Sequence, residues 1–150
     1  MKIELIKKIR FSQPTATEIK FIAKMAAKGL SKMLSKKLSK KLVADLTIVL
    51  VSEKEMQLLN NQYRKKNKPT DVLSFAPVEE NSFGELVFCL SILKKQAKRH
   101  GLTLKEEFLY LLIHGLLHLL GYDHEINDKR ARDMYLLQDK IYEELRYLCR

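Results

Sequence analysis

The sequence predicts an α/β (α+β) fold: a small mixed sheet of about four strands packed with about five helices, with a metal site on a central buried helix. Three observations carry that prediction. Segments with the 3.6-residue apolar period alternate along the chain with short β-branched runs. Three of the helical segments open on S/T-x-x-E capping signatures, pairing Thr15 with Glu18, Ser52 with Glu55 and Thr103 with Glu106. The most apolar run, Phe108 to Leu120, contains His114 and His118. It would span about 20 Å as a helix, short of the roughly 30 Å hydrocarbon core of a bilayer, so it reads as a buried helix.

The elements follow in order. Ile3, Leu5 and Ile9 alternate with charged residues, so residues 2 to 6 are expected to form a first strand before Pro14 interrupts the pattern. From Thr15, a long amphipathic helix places Ile19, Ile22, Ala23, Ala26, Leu30, Met33 and Leu34 on one face. Lys24, Lys28 and Lys32 lie opposite, and Lys36, Lys37, Lys40 and Lys41 crowd the end. These lysines read mostly as a solvated face near the helix's negative end, with an RNA-facing edge as the functional alternative. Asp45 to Val51 is a nearly continuous β-branched run, expected of a central strand covered on both faces.

Ser52 then opens a helix through Met56, Leu59, Asn60 and Tyr63 to the basic loop Arg64 to Lys68, which Pro69 ends. Strands at Val72 to Phe75 and Glu85 to Leu90 follow, separated by a polar turn or short loop from Glu79 to Gly84. Two helices, Thr103 to Leu120 and about Asp128 to Leu148, close the chain. The second carries Ala131, Met134, Tyr135, Gln138, Ile141, Tyr142 and Leu145 on one face.

At 150 residues, 46% hydrophobic and 31% charged, the chain is expected to form one domain over 1–150, and a disordered or fibrous class is excluded. Two cysteines, Cys89 and Cys149, cannot supply a disulfide framework or a four-thiolate zinc site, so reduced thiols without disulfide partners are expected. The first ten residues alternate charge with apolar side chains and lack the apolar stretch of a signal peptide, which points to a cytoplasmic protein with no membrane partner. The net charge of +10 and pI near 9.6 favour a polyanionic partner, nucleic acid first.

The strongest chemical signal is H-G-L-L-H-L-L-G-Y-D-H, residues 114 to 124. His114 and His118 are one helical turn apart, so both imidazoles can reach one ion. Gly121 can adopt the left-handed conformation that ends a helix, turning the chain so that His124 returns as a third ligand. Three protein nitrogens leave a fourth position open, the arrangement of catalytic zinc. A closed structural site would need a fourth ligand such as Cys89 or an acidic residue. The spacing also matches the zinc motif of metzincin peptidases, but these carry glutamate after the first histidine as general base, and here Gly115 stands there. Glycine at that helical position implies a need for space, for substrate or for close packing.

Beyond the histidines, the chain contains L-N-N-Q-Y-R (59–64), K-P-T-D-V-L-S-F (68–75) and G-E-L-V (84–87). With the 114–124 segment, these resemble the YbeY endoribonucleases of bacterial ribosomal RNA maturation. The resemblance implies a zinc-dependent RNase that prefers single strands and acts in rRNA processing and ribosome quality control, with rRNA precursors and ribosomal particles as partners. It implies one zinc per chain on His114, His118 and His124, with His114 also in the catalytic set, and Arg64 as a phosphate-binding residue. The family usually reads G-D-I where this chain has Gly84, Glu85 and Leu86.

The residue chemistry agrees. Arg64 offers a planar fork of donors suited to a phosphodiester, with Lys65, Lys66 and Lys68 extending the field. Thr70 and Asp71 are expected to fix the loop before the third strand, and Asp123 to orient a ligand histidine or shape its turn. Ser74 and Cys89 read as strand residues. The competing classes are a metallopeptidase, which Gly115 argues against, and a noncatalytic zinc-containing RNA- or ribosome-binding module.

Overall fold

A computed structural model describes residues 1–150. Four strands, β1 (Ile3–Lys7), β2 (Asp45–Leu50), β3 (Val72–Phe75) and β4 (Ser82–Phe88), make one mixed sheet in the order β1-β2-β4-β3. β1, β2 and β4 are mutually parallel, and β3 runs antiparallel to β4 at the edge. The helices are α1 (Ala16–Met33), α2 (Lys36–Ser39), α3 (Glu53–Arg64), α4 (Leu90–His100), α5 (Leu104–Leu119) and α6 (Asp128–Leu145), with single 3-10 turns at Lys40–Val43 and Arg146–Cys149. The α+β class and the mixed four-stranded sheet are as the sequence predicts.

Both faces of the sheet are covered, which is why β2 reads as a nearly continuous β-branched run. Leu46, Ile48 and Leu50 join Leu86 and Phe88 in the main core with the helices, while Val49, Val51 and Val87 join Met56, Leu73 and Cys89 on the other face. α5 is the central helix of the main core. Phe108, Leu109, Leu112, Ile113, Leu116 and Leu117 are all fully buried, so almost no solvated stripe remains on it. Thr15 and Thr103 form the capping boxes expected of them at the starts of α1 and α5.

The first strand lies one residue later than expected, at Ile3–Lys7, and larger differences fall at β4, α4 and the end of α6. The strand expected at Glu85 to Leu90 begins at Ser82 and ends at Phe88. Its first half was obscured because the register shifts between Asp45 and Leu46, leaving Phe83 without a cross-strand partner. Gly84 follows at φ +130°, where a Cβ would sit 2.7 Å from the Phe75 carbonyl oxygen and 2.8 Å from the Leu119 side chain. That glycine therefore lets the end of α5 close onto the sheet. Leu90 instead belongs to α4, a helix the sequence pattern does not predict. Its buried stripe is only Leu90, Leu93 and Ala97 among basic residues, although Gly101 at φ +67° marks its end. Finally, α6 stops at Leu145 and continues as a 3-10 turn. At Ser52 the box is half made: its hydroxyl accepts from Glu55 N–H at 3.2 Å, but the Glu55 carboxylate pairs with Lys8 at 2.8 Å.

Candidate metal centre

The last two turns of α5 and the loop after it build the site. His114 and His118 project from one face with their Nε2 atoms 3.0 Å apart. The helix ends in a Schellman turn: Tyr122 N–H donates to Leu117 C=O at 3.0 Å and Gly121 N–H to His118 C=O at 2.9 Å, with Gly121 at φ +99°. That reversal brings His124 back, with its ring centroid 5.2 Å from His114 and 5.0 Å from His118. The three imidazoles expected to meet do meet, each offering a nitrogen within 4.8 Å of the others.

The orientation of His114 is set from α6. Gln138, fully buried, accepts from His114 Nδ1 at 3.0 Å, while its amide nitrogen donates to Tyr110 C=O at 3.4 Å. With the proton on Nδ1, the Nε2 lone pair is left facing His118. Burial pushes the His114 pKa below its ordinary value, and burial with two neighbouring imidazoles pushes His118 down to about 4. Both rings are therefore neutral at pH 7, the form that ligates a metal. His124 Nδ1 is buried with no hydrogen-bond partner. Two nitrogens on one tetrahedral ion with bonds of about 2.0–2.1 Å lie about 3.3 Å apart, close to the His114–His118 spacing. The residues fit a single ion.

The histidines line a cavity of about 740 Å³ that also takes in Arg64, Asp71 and Tyr135. Arg64 ends α3, where Lys65 adopts φ 59° and Asn60, buried, donates to Lys68 C=O at 2.8 Å, fixing the basic loop. Arg64 Nη2 pairs with Glu125 Oε1 at 3.2 Å, and the same oxygen lies 3.9 Å from His124 Nε2. Lys65, Lys66 and Lys68 do not line the cavity. Asp71 holds the loop as expected, accepting from Val72 N–H at 2.7 Å, Thr70 Oγ1 at 3.3 Å and Gln96 Nε2 at 3.2 Å. Asp123 shapes the turn, its carboxylate accepting from Glu125 N–H at 2.7 Å.

Cys89 is buried in the core on the opposite face of the sheet, so it is no fourth ligand. Gly115 is needed for packing: a Cβ there would lie 2.7 Å from the Leu86 side chain, which is itself fully buried. A glutamate at that position has no room. Glu85 also faces away from the histidines, into a separate groove of about 500 Å³ shared with Lys8 and Glu55. In the sequence, Gln138 and Tyr135 read as packing residues on the last helix, and nothing marks Glu125. A buried glutamine within an otherwise apolar helical stripe was the available signal.

Fold and centre together define a class: an α+β protein with a three-imidazole cluster, able to hold a metal ion, at the end of its central helix. A family model described as Endoribonuclease YbeY matches residues 8–146, and the chain belongs to that family. It is 48% identical over 101 residues to an Endoribonuclease YbeY of Bdellovibrio bacteriovorus, covering 67% of each chain. It is 46% identical over 109 residues to one of Persephonella marina, covering 68% of this chain and 71% of that protein. The solution structure of TM1509 from Thermotoga maritima superposes with a TM-score of 0.63 at 31% identity, over 95% of this chain and 88% of that one.

Proposed function

We propose that residues 1–150 act as one zinc-dependent endoribonuclease unit that cuts single-stranded RNA during ribosomal RNA maturation in the cytoplasm, with rRNA precursors and ribosomal particles as its partners. The observation that carries this reading is the placement of Arg64 in the same cavity as the three-imidazole cluster. His114, His118 and His124 hold the ion, one per chain. When bound, such an ion offsets charge on a phosphoryl oxygen and lowers the pKa of water.

Arg64 supplies a bidentate fork that orients the phosphodiester and offsets charge developing on it. One edge of that fork, Nη2, pairs with Glu125 Oε1 at 3.2 Å, so a phosphate competes with the carboxylate there. Gln138 keeps His114 in the ligating tautomer. The family relationship and the lack of room for a glutamate at Gly115 both favour RNA over peptide as substrate. No helix is long and apolar enough to cross a membrane, and both cysteines are free and buried.

The test is to incubate metal-loaded and chelated protein with single-stranded RNA, double-stranded RNA and casein. Chelator-sensitive cleavage of the single strand, with casein intact, is expected. Chelator-sensitive cleavage of casein alone overturns the reading.

A further inference from the structure

The net charge of +10 is not a property of the whole molecule. Between Ile19 and Ala44 there are eight lysines and no acidic residue, which leaves 20 basic against 18 acidic residues for the remainder of the chain. The region that holds the metal centre is therefore close to neutral, and the excess sits on α1, α2 and the following turn.

The arrangement is ordered. Lys20, Lys24, Lys28 and Lys32 recur every fourth residue along α1, climbing about 18 Å of the helix within an arc of about 120°. None of the eight lysines is in an ion pair. Like charges at i,i+4 destabilise a helix, and nothing within the molecule offsets them. Phe21 falls inside the same arc and is 55% exposed. Basic side chains interleaved with an exposed aromatic ring are the elements of a single-strand nucleic-acid surface, in which the lysines follow phosphates and the ring stacks on a base.

An amphipathic basic helix can also lie on an anionic membrane, but that requires a free apolar face. The apolar face of α1 is already spent on the core: Ile19, Ile22, Ala23, Ala26, Ala27 and Leu30 are buried. None of the lysines lines the metal cavity.

We infer that the Lys20–Lys24–Lys28–Lys32 face of α1, with Phe21, is a second RNA-binding surface that engages the substrate outside the cavity. It rests on the endoribonuclease reading for the identity of the polyanion. This surface sets affinity and salt dependence for long RNA, whereas the cavity sets the chemistry.

The experiment compares the full-length wild type with a K20Q/K24Q/K28Q/K32Q variant and its all-arginine counterpart. Glutamine and arginine have helix propensities close to lysine's, so α1 is retained. For an RNA of about 30 nucleotides at about 0.1 M salt, the glutamine variant binds at least about tenfold more weakly, and its log–log salt slope is shallower by about 2 to 3. The arginine variant keeps both affinity and slope. Phe21→Ala weakens the same RNA by about fivefold or more, and all variants cleave a short single strand of about five nucleotides at the wild-type rate under saturating protein. Unchanged affinity and slope in the glutamine variant overturn the inference. So does loss of binding to phosphatidylserine vesicles with RNA binding intact, which would assign the face to lipid. Failure of the nuclease reading is separable: wild-type protein would then cleave no RNA, whatever the lysines do to binding.

Discussion

The His114–His124 segment and the lysine face of α1 sit on neighbouring helices of one core, yet they follow opposite rules. Around the histidines the groups are few, partly buried and individually oriented, with Gln138 fixing one ring and the Gly121 turn placing another. Along α1 they are many, exposed and unpaired. Charge in water attracts over about a Debye length but positions poorly, whereas desolvated, hydrogen-bonded groups position well and attract little. The overall charge of the chain therefore points to its ligand class without pointing to its chemical site.

The sharpest way to separate the two regions is to remove the ion site and leave the lysines. His118→Ala should lower zinc from about one per chain to near zero, because two imidazoles bind far more weakly than three. Cleavage should fall by roughly 10³-fold or more, while affinity for long RNA stays within about twofold of wild type. Elemental analysis, single-turnover cleavage and RNA titration check this. Equal zinc in both proteins would sink the assignment.

Arg64 lies between the two extremes, half exposed yet aimed into the cavity. Arg64→Ala should keep zinc and most RNA affinity while cleavage drops by roughly 10²-fold, the scale of losing one charge-stabilising donor. Lys65→Ala should do much less, since Lys65 does not line the cavity. Single-turnover rates at saturating protein distinguish them, and normal cleavage by the Arg64 variant would remove that residue from the site.

Gln138 tests whether orientation matters as much as ligation. Gln138→Leu removes the acceptor for His114 Nδ1 and should weaken zinc by about 10- to 100-fold in a chelator competition. Gln138→Glu, which still accepts from Nδ1, should retain most of the affinity. Equal losses in both variants would show that the amide matters only for packing.

The contrast also explains what could be read from the sequence. The three-histidine cluster was legible because helical period and a helix-ending glycine fix its geometry locally, and local rules transfer. Arg64 was placed by family resemblance, since an arginine after a tyrosine has no geometry of its own. Gln138 lies on a different helix from the histidine it holds, and Glu125 acts on a residue 61 positions away; such pairings exist only once the chain has packed. α4 escaped notice because its apolar stripe is three residues long. Gly115 was legible as a demand for space, but only the proximity of Leu86 shows that packing makes the demand.

The smallest expected effect concerns the metal-free protein. His118 titrates at about 4 in the folded chain, against an ordinary value of 6.5, because burial and the two nearby imidazoles disfavour its charged form. Between those two values the unfolded chain binds a proton that the folded chain refuses. Lowering the pH through this window therefore favours unfolding, and stability rises with pH until about 6.5, above which this group contributes no further dependence. His114, also shifted down, acts in the same direction. In chelator-treated protein the Tm should fall as the pH drops from 7 towards 4, and His118→Ala should flatten part of that fall. Carboxylates that titrate near 4 are common to both proteins and cancel in the difference. Parallel Tm profiles for wild type and variant would mean that His118 is as easily protonated in the folded chain as in the unfolded one, and that the ring is less enclosed than its neighbours imply.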